Sequence, residues 1–254
     1  MIPRVVILSL CLLVGGLSIA HALPLRNGEH LTYRVSWAIV PGAGEIKIDA
    51  QTSPTVPNRL LVTSSTATRR LAKMLLPFEA RSVSTFDTSS GRLLSMHENA
   101  ITRAKPTEHT ITFDYDKREA TYTKLVPKEA PRALPIPPGE PTDLIMALIQ
   151  TRTWNLKPGE KRDALVLFDD DFYELTLHAL RYEDVRTSLG TFNTLVLEPR
   201  MDKTPPKGMF KRGSTVKVWI AQDDHKLPVK FQVEFKIGTG TATLEAYKPP
   251  TPAK

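Results

Sequence analysis

The sequence predicts an all-β fold: a strongly curved antiparallel sheet, shaped as an open barrel-like body or a sandwich, with one main helix at about 143–153 and a short helical turn at about 69–75. Three observations predict it. Apolar and polar residues alternate with period two over most of the chain, as they do when successive side chains leave opposite faces of a sheet. Turn-forming residues punctuate the chain at short spacing, at Pro41-Gly42, Ser89-Ser90-Gly91, Pro158-Gly159, Asp169 to Asp171, Gly190 and Gly238-Thr239-Gly240. Helical periodicity is confined to two short stretches.

In chain order, residues 1–22 have the layout of a secretory signal peptide. Arg4 is the positive start, Val5 to Ile19 the apolar run, and Ala20-His21-Ala22 the small-x-small site, so cleavage is expected after Ala22 and before Leu23. The run is shorter than the roughly 20 residues of a spanning helix, and Gly15, Gly16 and Ser18 interrupt it. Retention as an anchor is the alternative. Lipidation is disfavoured, because Cys11 lies too early in the run and follows Leu10 rather than a small residue.

Residues 23–247 are expected to form a single β-rich domain. Leu31, Tyr33, Val35 and Trp37 open the alternation, and Ile46, Ile48 and Ala50 follow. The turn at 69–75 ends at Pro77. Six prolines between Pro127 and Pro141 mark an extended or looped crossing segment, since proline cannot donate to a sheet ladder. Thr142 or Asp143 can cap the main helix, with Leu144, Ile145 and Leu148 on its buried side and Ile149 a further candidate for it. Tyr173 to Ala179, Val216 to Ile220, Val229 to Ile237 and Ala242 to Ala246 continue the strand pattern, which favours antiparallel strands with one wet face. Residues 248–254 are expected to be a disordered proline-rich tail.

The sole cysteine is Cys11, so residues beyond the signal have no disulfide and no thiolate nucleophile or ligand. Formal charge is +7, which suits anionic partners; export argues against nucleic acid. No catalytic, cofactor or metal site is expected. Asp169, Asp170 and Asp171 read as a hairpin turn, because the glycine-containing loop of a calcium hand is absent. The histidines lack ligand spacing, and no serine sits in G-x-S-x-G or S-x-x-K. Glu29, Glu45, Glu160 and Asp163 are carboxylates whose separation sequence leaves open. Trp37 is expected in the core. Trp219, alternating with Val218 and Ile220, is the candidate ligand or partner contact, as a stacking platform on a polar face. Phe210, Lys211 and Arg212 belong to a basic loop suited to anionic head groups, and Arg69 to Leu76 form a second cationic, amphipathic segment.

Three blocks give the chain a family likeness. They are Asn27 to Trp37 with Gly42-Ala43-Gly44-Glu45; Asp143 to Arg152 with Leu156-Lys157-Pro158-Gly159-Glu160; and Leu189 to Phe192 with Lys207 to Gly213, Val218 to Ile220 and Asp223 to Val229. In order and spacing they resemble the exported bacterial family catalogued as domain of unknown function 3108. The resemblance implies a periplasmic or surface β-protein of curved-sheet type, and it supplies no catalytic residues. The expected function is a non-enzymatic binding or scaffold module of the envelope, working in the periplasm, for an apolar or glycan component. Its partners would be lipid, envelope glycan or another envelope protein, with peripheral contact to an anionic membrane. The alternatives are a lipid or lipoprotein carrier with an apolar cavity, a surface-polysaccharide assembly factor and, last, a hydrolase. A groove lined by Val35, Trp37, Phe231, Val233 and Phe235 is the expected binding face.

Overall fold

Period-two alternation becomes strand almost throughout. The computed structural model describes residues 23–38, 40–235 and 238–252; the side chains of Met209, Arg212 and Phe235 lie outside that description. The strands are β1 (His30–Trp37), β2 (Val40–Thr52), β3 (Arg59–Thr68), β4 (Phe78–Asp87), β5 (Leu93–Thr102), β6 (Lys105–Asp114), β7 (Glu119–Val126) and β8 (Arg132–Pro135). After the crossing come β9 (Pro141–Asp143), β10 (Lys161–Phe168), β11 (Asp171–Thr187), β12 (Gly190–Arg200), β13 (Thr215–Ala221), β14 (Pro228–Phe235) and β15 (Gly238–Lys248). Helix α1 (Arg70–Leu75) joins β3 to β4, and α2 (Leu144–Gln150) follows β9.

All of these strands form one sheet, in the order β8-β7-β6-β5-β4-β3-β2-β1-β15-β14-β13-β12-β11-β10-β9. Pairing is antiparallel except between β9 and β10, which are parallel. The chain walks outward by hairpins to β8, crosses through residues 136–140 to the opposite edge, and walks back until β15 closes on β1. That short crossing dictates curvature. Laid flat, 15 strands would part the edges by roughly 65 Å at the usual strand spacing. The crossing spans about 20 Å at full extension. The sheet therefore curls until its edges approach, without hydrogen-bonding into a closed barrel.

Side chains seal the seam between the two edges. Met96, Ile111, Ala120, Tyr122, Leu134 and Ile136 from the β5–β8 side form one buried cluster with Leu165, Leu167 and Phe172 of β10 and β11. Arg132 of β8 reaches Asp170 in the β10–β11 turn. Arg118 donates to the carbonyls of Ile136, Pro137 and Gly139, and Arg92 holds Glu140 through two bonds of 3.0 and 3.1 Å. Prolines are tolerated here because β8 and β9 are the edges, where a missing donor costs no ladder bond.

The main helix is found as α2 continued by a 3-10 turn at Thr151–Thr153. Asp143 caps it, accepting from the Met146 amide at 2.7 Å. Met146 and Ile149 join the largest core cluster, with Leu31, Tyr33, Ile48 and Trp219. Ala147 packs with Val166, Leu175 and Leu177. The helix thus contributes side chains to two core clusters.

Two expectations need correction, and the structure bears on two more. One wet face was expected throughout, yet Leu165–Leu167, Thr194–Leu197 and Val218–Ala221 are buried at every position. Trp37 is 37 % exposed rather than in the core: β1 shifts register against β2 between Val35 and Trp37, and the indole lies over Gly240 at the strand end. Neither described pocket is lined by the residues of the expected groove. Val35 and Phe231 pack against the core, Val233 is half-buried, Phe235 lies outside the described side chains, and the pockets open elsewhere. The tail is held at Thr251, whose amide donates to the Asn27 carbonyl at 2.8 Å; its side chain fills the space beside Gly28, where φ is +82° and no Cβ would fit. Residues 253 and 254 lie outside the description.

Candidate ligand pocket

The crossing, the start of β10 and α2 enclose a pocket of about 380 Å³. That volume falls among small-ligand sites. Phe86, Met146 and Leu165 make its apolar wall, all three buried. Pro138 to Thr142 cover one side, the β4–β5 turn at Ser90 to Arg92 another, and Leu23 and Pro24 of the N-terminal segment line it as well.

Trp154 is the polar focus. The 3-10 turn after α2 delivers it, with the Trp154 amide donating to the Thr151 carbonyl at 3.2 Å. Its side chain joins the cluster of Val166, Tyr173 and Leu175, and the residue is 6 % exposed. The Arg162 guanidinium sits over the ring, 4.7 Å from its centroid. The indole Nε1 is buried and meets no acceptor on the protein. A buried donor left so costs about 1–3 kcal/mol.

Charge around the pocket balances. Arg92, Arg162 and Lys203 face Glu140, Asp163 and Glu174. Asp163 accepts from Lys203 at 2.6 Å and from Thr176 at 2.8 Å; the lysine bond, more than the threonine bond, holds its carboxyl below the ordinary range. A buried ion pair braces the N-terminal wall. Arg152 donates to Glu29 at 2.6 Å, to the Pro24 carbonyl at 3.1 Å and to the His225 carbonyl at 3.0 Å. Tyr247 and the Arg26 amide, each at 3.0 Å, complete the satisfaction of Glu29. With both partners desolvated and every oxygen bonded, the geometry meets the condition under which a buried pair holds structure.

Of the residues singled out from sequence, Leu23, Asp163, the cap candidate Thr142, the turn residues Ser90 and Gly91, and Lys203 of the basic loop line this pocket; Trp219, Phe210 and Lys211 lie apart from it. Ala20 and Ala22 lie outside the described residues. Trp219 is not an exposed platform. It is 2 % exposed, donates to Glu183 at 3.2 Å and carries the Lys230 ammonium 4.1 Å from its ring centroid. Its strand face holds polar neighbours, but the sheet's curl buries that face too. Phe210 is half-buried against Tyr173, ring centroids 6.2 Å apart; Lys211 is exposed in the 3-10 turn at Gly208–Gly213, and the Arg212 side chain lies outside the description. Sequence reasoning missed Trp154, Arg162 and Arg92. Trp154 stands in a connection with no periodicity, so only its isolation as a large aromatic between a helix and a Pro-Gly turn marked it.

A second polar group sits at the seam. Glu98 and His109 are direct cross-strand partners, and His109 stacks on Tyr122 at 5.2 Å. Burial raises the Glu98 carboxyl above its ordinary range, with Asp169 and Asp143 adding to it, and burial lowers the His109 imidazole. His109 Nε2 also meets no protein partner. Among the described residues no three His, Cys, Asp or Glu side chains converge as a metal site, and no helix is long and apolar enough to cross a membrane.

No curated protein sequence matches the chain significantly. Among solved structures, a β-barrel-like protein of the DUF1849 domain family from Brucella abortus is similar in fold, with a TM-score of 0.58 at 7 % identity over 89 % of this chain and 100 % of that one. The hypothetical protein CT021 of Chlamydia trachomatis aligns at a TM-score of 0.39 and 11 % identity, covering 93 % of this chain and 92 % of its own. A Bacteroides fragilis protein described as exported, with a YmcC-like fold, aligns at 0.31 and 11 % identity over 90 % and 99 %. The first shares the curled-sheet architecture found here. Residues 32–245 match the profile of DUF3108, proteins of unknown function, and the chain belongs to that family.

Proposed function

We propose that the protein is a non-enzymatic binding module of the bacterial envelope whose pocket at Trp154 receives a neutral, hydroxyl-rich ligand, a glycan unit. The observation that carries this is the buried indole N–H with no acceptor of its own. Balanced charge around it suits a ligand without net charge, and carboxylates beside guanidinium groups match hydroxyls, which both donate and accept. The apolar wall of Phe86, Met146 and Leu165 suits a sugar's carbon face. Ion pairing of Arg92 with Glu140 and of Lys203 with Asp163 favours recognition over proton transfer. The signal-like N-terminus supports an extracytoplasmic site of action, in the periplasm. A carrier of acyl chains would need a continuous apolar cavity, which a wall with these charges disfavours.

Glycan-array screening followed by calorimetry tests the reading. Trp154→Phe keeps the ring and removes the donor, so affinity for the best glycan should fall about tenfold, the worth of one hydrogen bond. Unchanged affinity, or an array with no bound glycan, overturns the assignment.

A further inference from the structure

We propose that the rim of the sheet carrying α1 docks onto an anionic lipid surface. Antiparallel pairing brings the β1–β2 link, α1, the β5–β6 turn and the end of β7 to one rim. The crossing and the β4–β5 turn, which line the Trp154 pocket, lie at the other. No residue of α1 is buried. Leu71, Met74 and Leu75 are 67 %, 80 % and 83 % exposed, and Leu76 beside them is 42 % exposed. A helix this short gains little from its own backbone bonds, and none of these side chains joins a core cluster. The neighbouring turn extends the patch: the Arg103 amide donates to the Pro77 carbonyl at 2.9 Å, bringing Ile101, 49 % exposed, alongside.

Charge identifies the occupant. Arg69, Arg70, Lys73, Arg81, Arg103 and Lys105 surround these apolar side chains, all exposed. Glu45 and Glu79 offset part of that charge, pairing with Arg69 and Lys73 at 2.9 Å each. A cationic surplus around protruding Leu and Met side chains is the pattern of an interfacial lipid contact. A second copy in a twofold contact would set the same cations against each other. The proposal stands apart from the glycan reading, and docking by this rim leaves the pocket mouth turned away from the lipid.

The test uses the exported protein recovered from a bacterial host, its N-terminus read by mass spectrometry. Vesicles of three parts phosphatidylcholine to one part phosphatidylglycerol are compared with pure phosphatidylcholine, by flotation and by hydrogen exchange. Partition onto the anionic vesicles should exceed that onto neutral ones and weaken with salt, with exchange slowed at 69–76 and 101–105. Met74→Ser with Leu75→Ser should lower partition about a hundredfold, from the transfer free energy of two apolar side chains. Both sites are exposed, so the unfolding midpoint should hold. Equal partition of the variant, equal binding to neutral vesicles, or protection confined to other segments overturns the proposal. A concentration-dependent dimer that the same substitutions abolish overturns it in favour of self-association.

Discussion

Glu98 and His109 set a pH dependence that single side chains account for. Their burial at the seam moves the two groups in opposite directions. An acid whose folded pKa is raised holds its proton more tightly when folded. Its contribution to stability is lost as pH climbs from the unfolded carboxyl value, about 4.3, through the folded one. A histidine with a lowered folded pKa acts oppositely, costing stability as pH falls below about 6.5. Glu98→Gln, which keeps shape and removes the charge, should therefore be more stable than the parent at about pH 8, and the difference should vanish near pH 4. Urea unfolding at the two pH values checks this; a gap independent of pH would sink it. Individual tryptophans show where sequence reading stops at this scale. Trp37 and Trp219 were assigned by strict alternation, but register shifts fall beside each of them, and a bulge re-aims a side chain without changing composition.

At the scale of elements, α2 shows how a local signal and a buried setting combine. Asp143 was legible as a cap, and it accepts from the Met146 amide. Burial, partly offset by that bond and by Ser84, lifts its carboxyl above the ordinary range. An uncharged cap of the same shape is then sufficient. Asp143→Asn should match or exceed the parent's stability at neutral pH, whereas Asp143→Ala should lose about 1–2 kcal/mol with the cap. Chemical denaturation of both variants separates the oxygen's role from the charge's. Helix α1 was legible from Arg69 to Pro77 for the same reason, as an amphipathic stretch ended by proline. Its apolar side belongs to a cationic, amphipathic segment, and the structure leaves it projecting from the rim. Burial at this element depends on what lies opposite, and its sequence carries no record of that.

Over the whole molecule, the crossing is the controlling feature. It brings β8 to β9 and so makes both the curl and the pocket beneath it. Arg118 holds three of its carbonyls, substituting for absent ladder bonds. Arg118→Ala should speed amide exchange in β7 and β8 before the rest of the sheet, with a global loss of about 0.5–1.5 kcal/mol from the lost hydrogen bonds. Uniform exchange across the sheet would contradict a locally held seam.

By itself the sequence determined strand identity, the two helices, the turn at Asp169 to Asp171, the proline crossing and the family likeness. Each is a local property: alternation, capping and turn chemistry act over a few residues. Tertiary structure alone decided which faces are buried twice, that edges separated along the sheet meet, and that Trp154, Arg162, Glu140 and Leu23 share one pocket. These depend on sheet curvature, which accumulates over many strands from twist, bulges and the length of one connection. No short window of sequence contains that sum.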